Sequence, residues 1–264
     1  MYPILLRIGN LTIYSYTVLV DIGLIGGLAL VLWQGRQRAL EMDGLIDAAF
    51  YTIIAGVIGA RVHYVLLNWT YFWEKPLEAL YLWRGGLALH GALLLGGLAL
   101  LSYASWKKLS FWLLADSASF GLALGGIFGW VGCLLSGCAY GRVMRSLFSL
   151  NLPDIYGITA PRFPTQIFGA VWQAIILALL FFLSYRAGAR LFRRPGSTFA
   201  LYLLLYCAGD FALQFARADE TLYLGPLRVA HILNALGFIL ALGLMVYLGR
   251  RKVESAESQQ ELSV

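Results

Sequence analysis

The chain has 264 residues, 60% of them hydrophobic and 13% charged, with a formal net charge of +6 and a mean hydropathy of +0.73. A water-soluble domain is nearer half apolar and a quarter charged, so an ordinary soluble enzyme is excluded, and the apolar residues fall in blocks long enough to cross a bilayer. The basic excess is read as membrane flanks and lipid-headgroup contacts rather than nucleic-acid binding, and three cysteines, Cys133, Cys138 and Cys207, are too few for a disulfide framework.

The opening MYPILLRIGNLTIYSY lacks the basic start, apolar core and cleavage site of a signal peptide. Seven transmembrane helices are then predicted, at about 15–34, 46–67, 87–105, 112–135, 165–184, 198–216 and 229–249. The expected fold is therefore an all-α polytopic membrane protein, with one transmembrane domain over 1–252 and a disordered cytoplasmic tail over 253–264. The segments QGRQR, KK at 107–108, RAGARLFRRPGS and GRRKVESAESQQ separate or follow the spans. An extracytoplasmic N-terminus assigns all four to the cytoplasm, as the positive-inside rule prefers. The long loop between the fourth and fifth spans, with Arg142, Arg145 and Arg162, is expected to form a small extracytoplasmic cap built from loops.

In this orientation the polar residues gather at one level. Tyr16 lies at the outer end of the first span, Arg61 and His63 in the last turns of the second, and His90 about one turn inside the third. Cys133 and Ser136 end the fourth, and Gln166 opens the fifth. Asp210, Gln214 and Arg217 occupy the outer half of the sixth, and His231 and Asn234 open the seventh. Ionisable groups in a bilayer are costly and face the bundle interior, so this layer predicts a polar cavity open outward or sideways into the outer leaflet. An unpaired Asp210 would be expensive at that depth, and Arg61 is its expected partner. Asp21 and Asp116 are read as helix caps or interhelical bridges. The runs LIGGLAL, LLLGGLAL and LALGGIFG are read as close helix packing. The glycines around His90 fit either helix approach or lipid approach. Cys133 and Cys138 are close enough to pair, yet their spacing matches no standard zinc or redox motif.

The segments IYSYTVLVDIG, GARVHYVL, WRGGLALHGALLLGG, GWVGCLLSGCAYGR, PRFPTQIF and YCAGDFALQFARADE occur in the order of bacterial prolipoprotein diacylglyceryl transferases, which the chain resembles from about residue 2 to 245. The resemblance implies an enzyme of the bacterial cytoplasmic (inner) membrane. It would move a diacylglyceryl group from phosphatidylglycerol to the lipobox cysteine of a prolipoprotein signal peptide, forming a thioether and releasing glycerol phosphate. It places Tyr16 at the family's functional tyrosine and His90 at its proposed base. Arg61, Gly141, Arg142, Arg162, Gln166 and Arg217 fall on family motif positions and are the candidate phospholipid-binding residues. The pattern also departs from the family. Trp130 and Asp210 stand where it has arginines, Cys133 and Cys138 where it has Asn and Glu, Gln214 and Gly169 where it has Glu, and Phe163 where it has His.

The chemistry suits these residue types. A thiolate is the competent sulfur nucleophile, histidine is a base poised near neutrality, and the guanidinium fork stabilises a leaving phosphate. No metal or other cofactor is called for, and no phosphate-cradling or dinucleotide fingerprint is present. The alternative reading is a divergent paralogue of the same fold that binds phospholipid but modifies another acceptor or is non-catalytic. A transporter is the third reading, and the two repeated halves many transporters show are absent from the sequence.

Overall fold

The computed structural model describes residues 2–9, 11–82, 86–185 and 194–250. The expected tail over 253–264 and the basic stretch 186–193 lie outside the described residues. The chain separates into two compact units, one formed by Met1–Val31 with Asp116–Val264, the other by Leu32–Ala115.

The second unit is built on α2 (Met42–Leu67) and α4 (Leu89–Trp106). The two run antiparallel, since Ala88 N–H donates to Ala60 O at one end and Tyr103 Oη–H to Asp47 Oδ2 at the other. Between these ties the backbones nearly touch: a Cβ on Gly59 would overlap Gly91 O, and one on Gly91 would overlap Gly59 O. Small residues are what allow such an approach in membranes, where dispersion and interhelical polar contacts replace the hydrophobic drive. Gly91, next to His90, thus serves helix approach, the first of its two expected readings. A short helix α3 (Trp69–Glu74) and a 3-10 turn (Pro76–Leu80) lie between α2 and α4 in the chain.

The first unit holds most of α1 (Ser15–Gln37) and α5 (Phe111–Ser136), together with α6 (Thr165–Tyr185), α7 (Ser197–Gln214) and α8 (Val229–Arg250). Its core is Phe120, Ala123, Ile176, Leu180 and Tyr202, all buried. Helix α7 begins after Gly196, whose φ of 93° is a left-handed conformation open to glycine. Its first turn is capped from α5: Asp116 Oδ2 accepts Gly196 N–H and Oδ1 accepts Phe199 N–H, each at 2.8 Å. The capping expected of Asp116 is thereby observed. Three two-stranded hairpins join this unit, β1–β2 (Ile4–Ile8, Leu11–Tyr14), β3–β4 (Leu150–Pro153, Thr159–Arg162) and β5–β6 (Tyr223–Leu224, Leu227–Arg228).

Among the described residues six helices, α1, α2, α4, α5, α6 and α8, are long and apolar enough to cross a membrane. This is a helical, multi-pass membrane protein. Helix α7 coincides with the sixth predicted span but spans 18 residues and carries Asp210 and Gln214, which lower its hydropathy. The predicted helix positions hold to within a few residues, whereas the all-α expectation is amended by the hairpins. Those strands sit where loops were expected, because segments such as LRIGNLTIY turn on a glycine with φ of 58° between short alternating runs.

Candidate functional site

Within the second unit, Arg61 is buried and its guanidinium is spread over backbone carbonyls. Nε donates to Ala79 O at 2.8 Å, Nη1 to Gly86 O at 3.1 Å and Nη2 to Glu78 O at 2.6 Å. Its carbon also lies 5.4 Å from the Phe72 ring centre and 5.7 Å from that of Tyr64. A five-donor planar fork suits this task, which a lysine point charge does not. His90, in the first turn of α4, has an exposed side chain, and its ring meets that of His63 edge-on at 6.1 Å between centres.

Within the first unit, Tyr16 stands at the start of α1 against Gly132, where an added Cβ would lie 3.0 Å from the tyrosine ring. The next residue, Cys133, is joined to Cys138 by a disulfide. The chain reverses through Gly137 (φ 81°) and Ala139 (φ 51°). It is braced by α6: Gln166 Nε2 donates to Cys138 O at 2.8 Å, and Thr165 Oγ1 donates to Ala139 O at 2.5 Å. Gln166 is fully buried in this role. Residues 140–143 then run between two backbones. Ala218 N–H donates to Tyr140 O and Arg142 N–H to Ala216 O on one side, and Phe163 N–H donates to Arg142 O on the other. A Cβ at Gly141 would overlap Phe163 O, so glycine is required for the chain to pass.

The arginines of this unit differ in what holds them. Arg162 is buried and pairs with Asp154 at 2.8 Å, and its carbon lies 4.8 Å from the Tyr140 ring centre. Asp154 in turn accepts Tyr156 N–H and Ile158 N–H at 2.9 Å, shaping the β3–β4 turn. Arg217, just past α7, meets Asp219 through Nε at 2.9 Å and again through Nη2. Buried Arg228 reaches the same carboxyl at 3.2 Å and also donates to the carbonyls of Arg217 and Asp219. Burial favours the neutral acid at Asp219, but hydrogen bonds and charge from Arg217, then Arg228, outweigh it and hold the carboxyl below the usual range. Arg142 differs from these. Its side chain is exposed, has no hydrogen-bond or ion-pair partner among the described residues, and lines a cavity of about 350 Å³ with Met144, Phe163, Ala212, Phe215 and Ala216.

The partner expected for Asp210 is corrected. Its Oδ2 accepts Asn234 Nδ2 at 2.6 Å and Gln214 Nε2 at 3.0 Å. Two amides one helical turn and one helix away offset its desolvation, where an arginine was expected. Asn234 thereby ties α8 to α7. At His231 neither ring nitrogen has a hydrogen-bond partner among the described residues, and the ring lies 4.4 Å from Phe215 and 5.2 Å from Phe211. Sequence reasoning passed over Asp154, Asp219 and Arg228. The available signals were acidic residues next to hairpin turns, in LPDIYG and in RADETLYLGPLR.

These observations define a helical, multi-pass membrane protein in which an exposed guanidinium, Arg142, borders a cavity with apolar walls. The family described as prolipoprotein diacylglyceryl transferase matches residues 3–247, and the chain belongs to that family. It is 32% identical over 257 residues to the phosphatidylglycerol–prolipoprotein diacylglyceryl transferase of a Nostoc species, covering 95% of this chain and 90% of that protein. The like-named proteins of Bacillus velezensis and Symbiobacterium thermophilum are 30% and 32% identical, over 93% and 97% of this chain and 91% and 96% of theirs.

Proposed function

We propose that this chain transfers the diacylglyceryl group of phosphatidylglycerol to the lipobox cysteine in a prolipoprotein signal peptide. The sulfur forms a bond to the glycerol carbon, the carbon–oxygen bond to phosphate breaks, and glycerol phosphate leaves with the electron pair. The thiol proton passes to a base. His90 fits that role as an imidazole with an exposed side chain, and Tyr16 fits a hydrogen bond to the lipid ester or phosphate. Arg142 is the phosphate ligand. The carrying observation is that Arg61, Arg162 and Arg217 are each engaged by carbonyls or a carboxyl, whereas the Arg142 side chain has no such partner and borders an apolar cavity. Gly141 and Gln166 then hold the segment that carries it, and Arg61, Arg162 and Arg217 serve as positioning residues.

The proposed topology has seven spans in the cytoplasmic membrane, α7 included, with the N-terminus outside and a cap made of the three hairpins and the 137–164 loop. The Cys133–Cys138 disulfide supports that orientation, because disulfides persist in oxidising compartments and are rare in the cytosol. Trp130 and Asp210 favour a second reading, a paralogue that binds phospholipid but serves another acceptor or none. Complementation of a strain depleted of its own transferase separates the two readings, since growth requires lipobox transfer. In a transfer assay, Arg142→Ala removes a charge-assisted contact of about 1.5–3 kcal/mol. The KM for phosphatidylglycerol should rise by roughly 10- to 150-fold, and an unchanged KM rules out this ligand assignment.

A further inference from the structure

Arg142 lies four residues beyond Cys138, at the far end of one continuous tie. The disulfide joins the last turn of α5 to the reversal at 137–139, with Cα atoms 4.6 Å apart. That reversal includes Ala139 at φ 51°, a left-handed conformation that disfavours side chains with a Cβ. The bonds from Gln166 and Thr165 to the Cys138 and Ala139 carbonyls brace it from α6, and Gly137 N–H donates to Cys133 O at 2.9 Å on the α5 side, beside the disulfide. From there the strand-like run 140–143 is paired with Ala216–Ala218 and with Phe163, and so delivers the Arg142 side chain to the cavity wall. Neither cysteine is fully buried, and Ser136 Oγ–H donates to Cys138 Sγ at 3.3 Å. The pair is therefore within reach of a small reductant, and its state changes how firmly the start of the Arg142 segment is anchored.

We propose that the Cys133–Cys138 disulfide is the positioning element for Arg142, so that the oxidised chain captures the phosphate of the donor lipid and the reduced chain captures it poorly. The inference rests on Arg142 being the phosphate ligand. Reduction breaks the sulfur–sulfur bond and gives two thiols. With a water-soluble phosphine, the phosphine is oxidised to its oxide and water supplies the oxygen and both protons. Reduction leaves the chemistry of the proposed base, His90, unaltered, so the loss falls on lipid capture rather than on turnover of the bound complex.

The test uses the full chain in nanodiscs containing graded fractions of phosphatidylglycerol in phosphatidylcholine, with a lipobox peptide as acceptor. Initial rates are measured with and without the phosphine, for the natural chain, for Cys133→Ser combined with Cys138→Ser, and for Arg142→Ala. Backbone hydrogen exchange over 137–143 is followed in parallel. The expected result is a KM for phosphatidylglycerol raised roughly tenfold on reduction with kcat unchanged, since a misplacement of about 1 Å in a positioning group costs up to about a hundredfold. The double variant should show the raised KM and no response to phosphine, exchange over 137–143 should quicken, and Arg142→Ala should gain nothing further on reduction. An unchanged KM after reduction overturns the proposal, whether or not exchange quickens. Reduction of the folded natural chain supplies this result even if the double variant fails to fold. A natural-level KM in Arg142→Ala is a different failure, and it overturns the ligand assignment beneath the proposal.

Discussion

Asp116 offers a sharp separation of fold from chemistry. A buried carboxylate in a membrane helix could serve chemistry or structure, and the sequence reads it as a helix cap or an interhelical bridge. The structure gives it two charge-assisted bonds at 2.8 Å to the backbone of Gly196 and Phe199, and its side chain is 1% exposed. Replacing it with alanine leaves two helix-terminal N–H groups without these acceptors, and each orphaned buried donor costs about 1–3 kcal/mol. A total near 3 kcal/mol is expected, after allowing that Phe199 is half-buried and can recover some solvation, which corresponds to a fall in Tm of roughly 6–12 °C. Asp116→Asn should lose less, because its carbonyl keeps one acceptor while its amide opposes the other donor. The assay is thermal unfolding in detergent paired with transfer activity per folded molecule. Both variants should keep their specific activity at temperatures well below their Tm. A folded Asp116→Asn protein without activity would refute the capping account, as would an Asp116→Ala protein as stable as the natural one.

Two further outcomes follow from Asp219 and Gly169 in the first unit. Asp219 is held below the usual carboxylate range, so its stabilisation is complete above the unfolded value of about 3.9 and is lost as pH falls below that value through the folded one. The Tm of the natural chain should drop on acidification below about pH 4, and Asp219→Asn should start lower and show a flatter acid limb; parallel curves count against the pairing. At Gly169 an added Cβ would overlap the Trp130 indole, so Gly169→Ala should cost about 1–3 kcal/mol through overpacking. Trp130→Leu in the same chain should recover most of that loss, and additive losses in thermal unfolding would exclude the size pairing.

Much of the fold was legible because its spans are set by hydrophobic length alone. Ser15, Met42, Leu89, Phe111, Thr165, Ser197 and Val229 each begin a helix within a few residues of the predicted start. The glycine runs were legible for the same reason, since small residues in a membrane helix have few other uses, and Gly27 of LIGGLAL, where an added Cβ would lie 2.9 Å from Gly121 O, is that use. The site was legible residue by residue but not pair by pair. Sequence distance hides the Asp154–Arg162 and Asp219–Arg228 pairs, which are closed by hairpins that fold these loops back on themselves. Arg61 looked like an anion ligand by type and depth, yet its donors are taken by the loop that follows α2. Cys133 and Cys138 fit no motif, and only the reversal at Gly137 and Ala139 brings their Cα atoms to 4.6 Å.

The two departures that weighed most in the sequence, Trp130 and Asp210, belong to one repacked seam. Trp130 lies against Gly169, and the void it shares with Trp172, Gln173, Tyr206, Asp210 and Leu213 is only about 10 Å³. That is close to the minimum for one water molecule and far too small for a lipid head. Asp210 begins a polar chain that runs through Gln214 to Arg228, and from there through Asp219 to Arg217, whose guanidinium carbon lies 6.0 Å from the Trp130 ring centre. Its two carboxyl groups balance its two guanidiniums, so an incoming phosphate would gain little from the chain and would have to displace Asp219 to reach either arginine. With Asp210 at this position the four charged groups of the seam are neutral in sum. The Arg142 side chain, by contrast, is exposed at the rim of the larger cavity and has no such carboxyl against it among the described residues.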